Sequence, residues 1–180
     1  MKTALILLLA AAAAFAQPKK FNRSQNNASS PAKETSVTIN GKTLNISYSA
    51  PSVRKRTIFG DSGILKGDGT YPVWRFGADE ATQFHTDADL AIGSFTLPKG
   101  DYSLWVDLDA GKWQLIFNKK FGWGTDYDKS ADAGRVPMTM SKPPAPVEQL
   151  TITLSSAGGS NGKLAAAWSD MAASVAFTVK

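Results

Sequence analysis

From residue 36 onward the chain alternates apolar and polar residues in short runs, each closed by turn residues. Val37 and Ile39 alternate, Asn40-Gly41 follows, and Leu44, Ile46 and Tyr48 alternate again before Pro51. Asn-Gly between two alternating runs predicts a two-residue type I′ hairpin, because both residues tolerate positive φ. Residues 51–70 hold Gly60, Gly63, Gly67 and Gly69 and read as a long connection, with Ile58, Phe59, Ile64 and Leu65 tucked against the core. Strands resume at Tyr71 and continue through "TQFHTD", "LAIGSFTL", "DYSLWVDL" and "KWQLIFN". In "DYSLWVDL", Tyr102, Leu104, Val106 and Leu108 share one face, and in "KWQLIFN" Trp113, Leu115 and Phe117 do the same. "KKFGWGTDYDKSADAG" reads as a loop, and "RVPMTMSKP" as an edge strand, since Pro137 cannot donate to a ladder.

"VEQLTITL" is a strand with one irregularity, and "SSAGGSNG" is a turn. The front of "KLAAAWSDMAASVAFTVK" fits two patterns. Leu164, Trp168 and Met171 recur at helical spacing, whereas Leu164, Ala166 and Trp168 alternate. Val175, Phe177 and Val179 are strand-like, and a final hairpin is the preferred reading. Eight to ten short strands without a long helix predict an all-β fold, an antiparallel β-sandwich of jelly-roll-like or immunoglobulin-like type.

The front of the chain is different. Lys2, the run "ALILLLAAAAAFA" and its Ala14-Phe15-Ala16 ending form a secretory signal pattern over residues 1–16, shorter than the roughly 20 apolar residues of a membrane span. The expected protein is therefore exported, periplasmic or extracellular, with no integral membrane segment after cleavage. Residues 17–35 are polar and Pro-containing and read as a disordered linker, leaving 36–180 as one domain. Such a domain must stabilise itself without disulfides, because the chain has no Cys. Residues 17–60 carry eight Lys or Arg against one acid, Glu34, so the basic excess sits at the front and reads as a solvated tail. Scattered acids and the lack of a basic strand face argue against nucleic-acid binding.

The densest chemistry lies in Arg54, Arg56, Trp74, Arg75, Asp79, Glu80 and His85. Arg offers planar, two-pronged hydrogen bonding to carboxylate or phosphate. Asp79 and Glu80 point to opposite faces of a strand unless the chain turns, which Gly77 allows. As a ligand site, Arg54, Arg56 and Arg75 would grip a small anionic group or envelope component, Glu80 would orient an Arg, and Trp74 would pack behind. As structure, Arg75 would pair with an acid of this cluster and Trp74 would be core. A single His without a G-x-S-x-G elbow makes a poor hydrolytic triad. No catalytic residue, metal ligand or cofactor is assigned. Asp126, Asp128 and Asp132 resemble calcium-loop acids but lack the full spacing with its terminal Glu, and solvated turn acids explain them more simply. Phe121, Trp123 and Tyr127 either cap the sandwich end or present a binding surface.

The pieces "YSAPSVRKRTIFG", "VWRFGADEAT", "LPKGDYSLW", "WQLIFNK", "WGTDYD", "RVPM" and "PVEQLTI" run in the order found in DUF2911, a family of exported bacterial proteins of unknown function, which the chain resembles from about residue 36 to its end. The family pattern has Asn where Asp79 stands and a shorter connection before Trp74-Arg75, which marks 61–70 as a variable loop. The resemblance implies a β-rich exported domain and no particular activity. The expected role is a non-catalytic binding or envelope-associated module. The alternative is a hydrolase of extracellular or envelope material that uses Glu80 or Asp79 as base and Arg75 as anion stabiliser.

Overall fold

The computed structural model describes residues 29–109 and 112–180. The signal pattern at 1–16 and residues 17–28 of the linker lie outside the described residues. Thirteen strands follow in order: β1 (Ala32–Ile39), β2 (Lys42–Ser49), β3 (Val73–Trp74), β4 (Thr82–Thr86), β5 (Leu90–Ile92), β6 (Phe95–Leu97), β7 (Gly100–Asp107), β8 (Gln114–Asn118), β9 (Asp132–Pro137), β10 (Thr139–Ser141), β11 (Val147–Gly158), β12 (Asn161–Ser169) and β13 (Met171–Val179). The only helical elements among the described residues are short 3-10 turns at Ile64–Gly67 and Lys129–Ala131. β1 starts at Ala32, ahead of the first position that alternation marks, so residues 32–35 of the expected linker belong to the sheet.

The strands form two antiparallel sheets. One has the order β1-β2-β4-β7-β8-β9, with β3 beside the far end of β7. The other has the order β11-β12-β13-β5-β6, with β10 on β13. The chain is an all-β sandwich. Asn40 (φ 51°) and Gly41 (φ 74°) make the predicted primed turn between Ile39 and Lys42. The final segment is a hairpin, β12–β13, with Leu164, Ala166 and Trp168 inward on one strand and Val175, Phe177 and Val179 inward on the other; Val175 lies opposite Leu164 and Phe177 opposite Gly162. β9 is the edge of its sheet, which leaves Pro137 without a ladder bond to make.

One contiguous core joins both sheets through Leu44, Ile46, Leu104, Leu115, Ile152, Leu164 and Val175, among others. The sheets are stitched at the β2–β11 corner. There Leu150 N–H donates to Pro51 O (2.9 Å), Val53 N–H to Glu148 O (2.7 Å), and Ile152 N–H to the Tyr48 hydroxyl (3.0 Å). Ile58 and Leu65 of the 51–70 connection are buried and Phe59 packs against the core, as expected, but Ile64 is exposed because its 3-10 turn presents only Leu65 inward.

The outer face of the first sheet is not simply solvated. Trp105 and Ile116, on the side opposite Leu104 and Leu115, are fully buried and join Val73, Ala81 and Tyr127 in a second, smaller cluster. The 119–131 loop covers that face. Its three aromatics therefore separate: Tyr127 lies on Trp105 with ring centroids 5.0 Å apart, while Phe121 and Trp123 remain about 40% exposed (42% and 40%).

Candidate functional site: an aromatic cleft at one end of the sandwich

The sequence singled out Arg54, Arg56, Trp74, Arg75, Asp79 and Glu80 as one constellation, and the fold places them in three settings. Arg54 is exposed; its guanidinium donates to Ser29 and its backbone N–H to Glu148 Oε1 (2.9 Å). Arg56 is exposed and turns back on its own loop, donating to Val53 O (3.1 Å) and Ser52 O (2.7 Å). Trp74 is core, and its indole N–H donates to Gly77 O at 3.0 Å.

Arg75, Asp79 and Glu80 form the seat of the 119–131 loop. The chain does turn here, a turn the sequence allowed at Gly77, but the positive φ values fall on Phe76 (φ 53°) and Asp79 (φ 60°). Gly124 N–H donates to Asp79 O (3.0 Å), Ala81 N–H to Gly122 O (3.3 Å), and Glu80 bridges Trp123. Gly124 has to be glycine: a Cβ there would stand 2.1 Å from Arg75 Cδ and 2.6 Å from Asp79 O. Arg75 does pair with a carboxylate, but with Asp68 and not with either neighbour in the motif. Its Nη2 lies 2.6 Å from Asp68 Oδ2, and both side chains are only 15% exposed. Asp79 does not take this role because the turn directs its carbonyl, not its carboxylate, toward Arg75 Nη1 (3.5 Å).

The other ionisable groups are also engaged. His85 sits between Asp101 (2.7 Å) and Asp87 (3.0 Å), and the His85 hydrogen bond, more than any other contact, holds the Asp87 carboxyl below its ordinary range. Arg135 joins Asp132 (2.9 Å), Asp107 (3.0 Å) and the Tyr127 hydroxyl (2.5 Å), and Tyr127 also donates to Asp132 (2.9 Å). Burial and the Asp132 contact push the Tyr127 phenol far up, so it stays protonated. Asp128 caps the 3-10 turn through Ser130 N–H (3.0 Å). Among the described residues no three acids or His gather in a metal-binding group.

What the sequence did not single out is a cleft at the end of the sandwich where β7, β8 and the β12–β13 hairpin terminate. Five aromatics meet there. Trp74 stacks on Trp168 (centroids 5.6 Å, planes 21° apart), Phe76 and Phe59 meet Trp74 edge-on, and Phe59 leans on Trp113 at 5.0 Å. Phe59, Gly60 and Trp113 form a ridge between two open lobes. The larger, about 660 Å³, is lined by Arg56, Thr57, Pro146, Asp170 and Met171. The smaller, about 240 Å³, is lined by Asp61, Lys66, Tyr71, Leu108 and Asp109. Beneath the ridge lies a gap of about 10 Å³ lined by Trp74, Trp168, Phe76 and Leu150. The indole N–H of Trp168, 3% exposed, has no hydrogen-bond partner among the described residues. An enclosed, unpaired donor costs about 1–3 kcal/mol.

The lobes carry polar groups of both signs. Lys66 Nζ lies 3.0 Å from Asp61 and 5.3 Å over the Tyr71 ring, and the Tyr71 hydroxyl donates to Asp109. The Asp61 hydrogen bond raises the Lys66 pKa, and the Asp109 hydrogen bond raises that of Tyr71. At neutral pH Lys66 is therefore an ammonium and Tyr71 a neutral phenol. Neither is poised as a base or nucleophile. Phe59 and Gly60 were visible in the "RKRTIFG" motif, but Phe59 reads as packing and Gly60 as a turn residue. Trp113 reads as a strand residue, and only the fold brings it onto Phe59.

No curated protein and no solved structure matches the chain. A family model described as "Protein of unknown function (DUF2911)" matches residues 30–177, which takes in the loop seat, both sheets and most residues of the cleft. The chain belongs to the DUF2911 family.

Proposed function

We propose that this protein is a non-catalytic binding module of the cell exterior and that its ligand occupies the aromatic cleft. One observation carries the reading: Arg56, Phe59 and Gly60 converge with Trp113 and Met171 on an open cavity, with Trp74 and Trp168 packed beneath its floor. Its larger lobe falls within the roughly 300–1,000 Å³ of small-ligand clefts, which are largely apolar with a few placed polar groups. The reactive-looking groups elsewhere support a non-catalytic role. Arg75, His85 and Arg135 are each committed to carboxylates that hold the fold. Of the six residues expected at a ligand, this reading keeps Arg56 as a lining residue and Trp74 beneath it, leaves Arg54 outside the cleft on Ser29 and Glu148, and gives Arg75, Asp79 and Glu80 to the loop seat. Export rests on the signal pattern of residues 1–16.

The test is a thermal-shift screen of the mature domain against small molecules, glycans and peptides, repeated with Trp113→Ala. A ligand that binds the native state raises the melting temperature in proportion to RT ln(1 + [L]/Kd). The expected result is a ligand whose shift disappears in Trp113→Ala. Turnover of an ester, phosphate or glycoside by the domain would overturn the non-catalytic reading, and ligands indifferent to Trp113 would displace the site.

A further inference from the structure

We infer that the ligand of this cleft is a neutral oligosaccharide lying across the Phe59–Trp113 ridge, with one sugar in each lobe. The inference rests on the cleft being the binding site and adds its ligand class. A pyranose has an apolar C–H face and a rim of hydroxyls that both donate and accept. It calls for an aromatic face flanked by hydrogen-bonding groups of both kinds, without a concentrated charge.

The cleft has that arrangement. Phe59 and Trp113 border both lobes, and Tyr71, with Lys66 over its ring, adds a third aromatic in the smaller one. Around the rings stand acceptors at Asp61, Asp109 and Asp170 and donors at Lys66 and Arg56. Their charges largely cancel, because Lys66 is paired with Asp61 and Arg56 faces the same lobe as Asp170. That balance disfavours a small anion, which would want several free guanidinium groups. Arg54 turns to Ser29, and Arg75 is held by Asp68. The cleft is a ridge with a lobe on each side, not a closed pocket. A single ring would leave one lobe unused, whereas a chain of linked rings crosses the ridge and meets both sets of polar groups.

The experiment titrates the mature domain with soluble β-1,4-linked glucan, xylan, mannan and N-acetylglucosamine hexasaccharides, read by tryptophan fluorescence and calorimetry. A parallel 19F NMR screen of a neutral fluorinated fragment mixture reports cleft occupancy by any small molecule. At least one hexasaccharide should bind saturably and its disaccharide about tenfold more weakly, as expected when contacts across the ridge are lost. Trp113→Ala should abolish that binding, and Trp123→Ala, on the other loop, should leave it unchanged. Asp170→Ala, at the exposed tip of the β12–β13 hairpin, keeps the fold intact whatever happens at Trp113 and should weaken binding about three- to tenfold. If fragments bind in a Trp113-dependent manner and no hexasaccharide does, the saccharide inference fails while the cleft stands. If neither binds, both readings fail.

Discussion

The Arg75–Asp68 pair decides whether the most conspicuous arginine of the chain is a ligand group or a brace. Consider Arg75→Ala. The pair is 2.6 Å long with each side chain 15% exposed, and the Arg75 stem fills the space against Gly124. Removing one partner of a fully buried pair costs about 3–5 kcal/mol. Residual solvent contact lowers this to about 2–3 kcal/mol, part of it from lost packing of the arginine stem. In a domain of this size each kcal/mol moves the melting temperature by about 2–4 °C, so a fall of about 5–10 °C is expected. Asp68→Ala should cost a similar amount: the guanidinium keeps the Asp79 carbonyl, but the Thr70 N–H (3.3 Å) and hydroxyl (3.2 Å) lose their acceptor. Urea unfolding of both single variants and the double variant gives the coupling, which should be about 1–2 kcal/mol. A loss under about 0.5 kcal/mol in Arg75→Ala, or a coupling indistinguishable from zero, would refute the brace and return Arg75 to the list of ligand groups.

Three further outcomes follow from the geometry. Trp74→Phe leaves the Gly77 carbonyl without its indole donor, whereas Trp168→Phe removes an N–H that has no partner among the described residues, so the first should cost about 1–2 kcal/mol more than the second in urea unfolding. Gly162→Ala sets a methyl 2.3 Å from the Phe177 ring and 2.9 Å from Ile39 Cδ1, and should lower stability by about 1–3 kcal/mol in the same assay. Asp87 has a folded-state pKa below its unfolded value because His85 hydrogen-bonds its carboxylate. The unfolded chain therefore binds the proton first, and this contribution is present above the ordinary carboxylate range and lost as pH falls through the depressed value. Melting temperatures from about pH 5 downward should fall less steeply in Asp87→Asn than in the parent; parallel slopes would remove Asp87 from the acid response.

The strands were legible because alternation is a local signal. Val37 and Ile39 against Leu44, Ile46 and Tyr48, with Asn40-Gly41 between them, admit only one short hairpin, and that hairpin is present in the predicted register. The last hairpin was harder, because Leu164 and Trp168 satisfy both a helical and a strand spacing. The strand through Val175 and Phe177 decides it by pairing with β12 from Asn161 to Trp168. The double-sided burial of β7 was not legible. Trp105 alternates as an outward residue, and only the return of the 119–131 loop, with Tyr127 on its ring, puts it inside.

The candidate site divides along the same line. By itself the sequence determined a cysteine-free all-β domain, its turns, and the motif residues Arg56, Phe59, Trp74 and Arg75, since each follows from periodicity or residue chemistry within a few positions. Tertiary structure alone decided that Arg75 is bound to Asp68, that Arg54 reaches Ser29 while Arg56 serves its own loop, and that Phe59, Trp113 and Trp168 meet. These partners come from distant parts of the chain and from both sheets. No local pattern encodes which strand ends will share one end of a sandwich; that follows from how the two sheets align when their apolar faces are buried together.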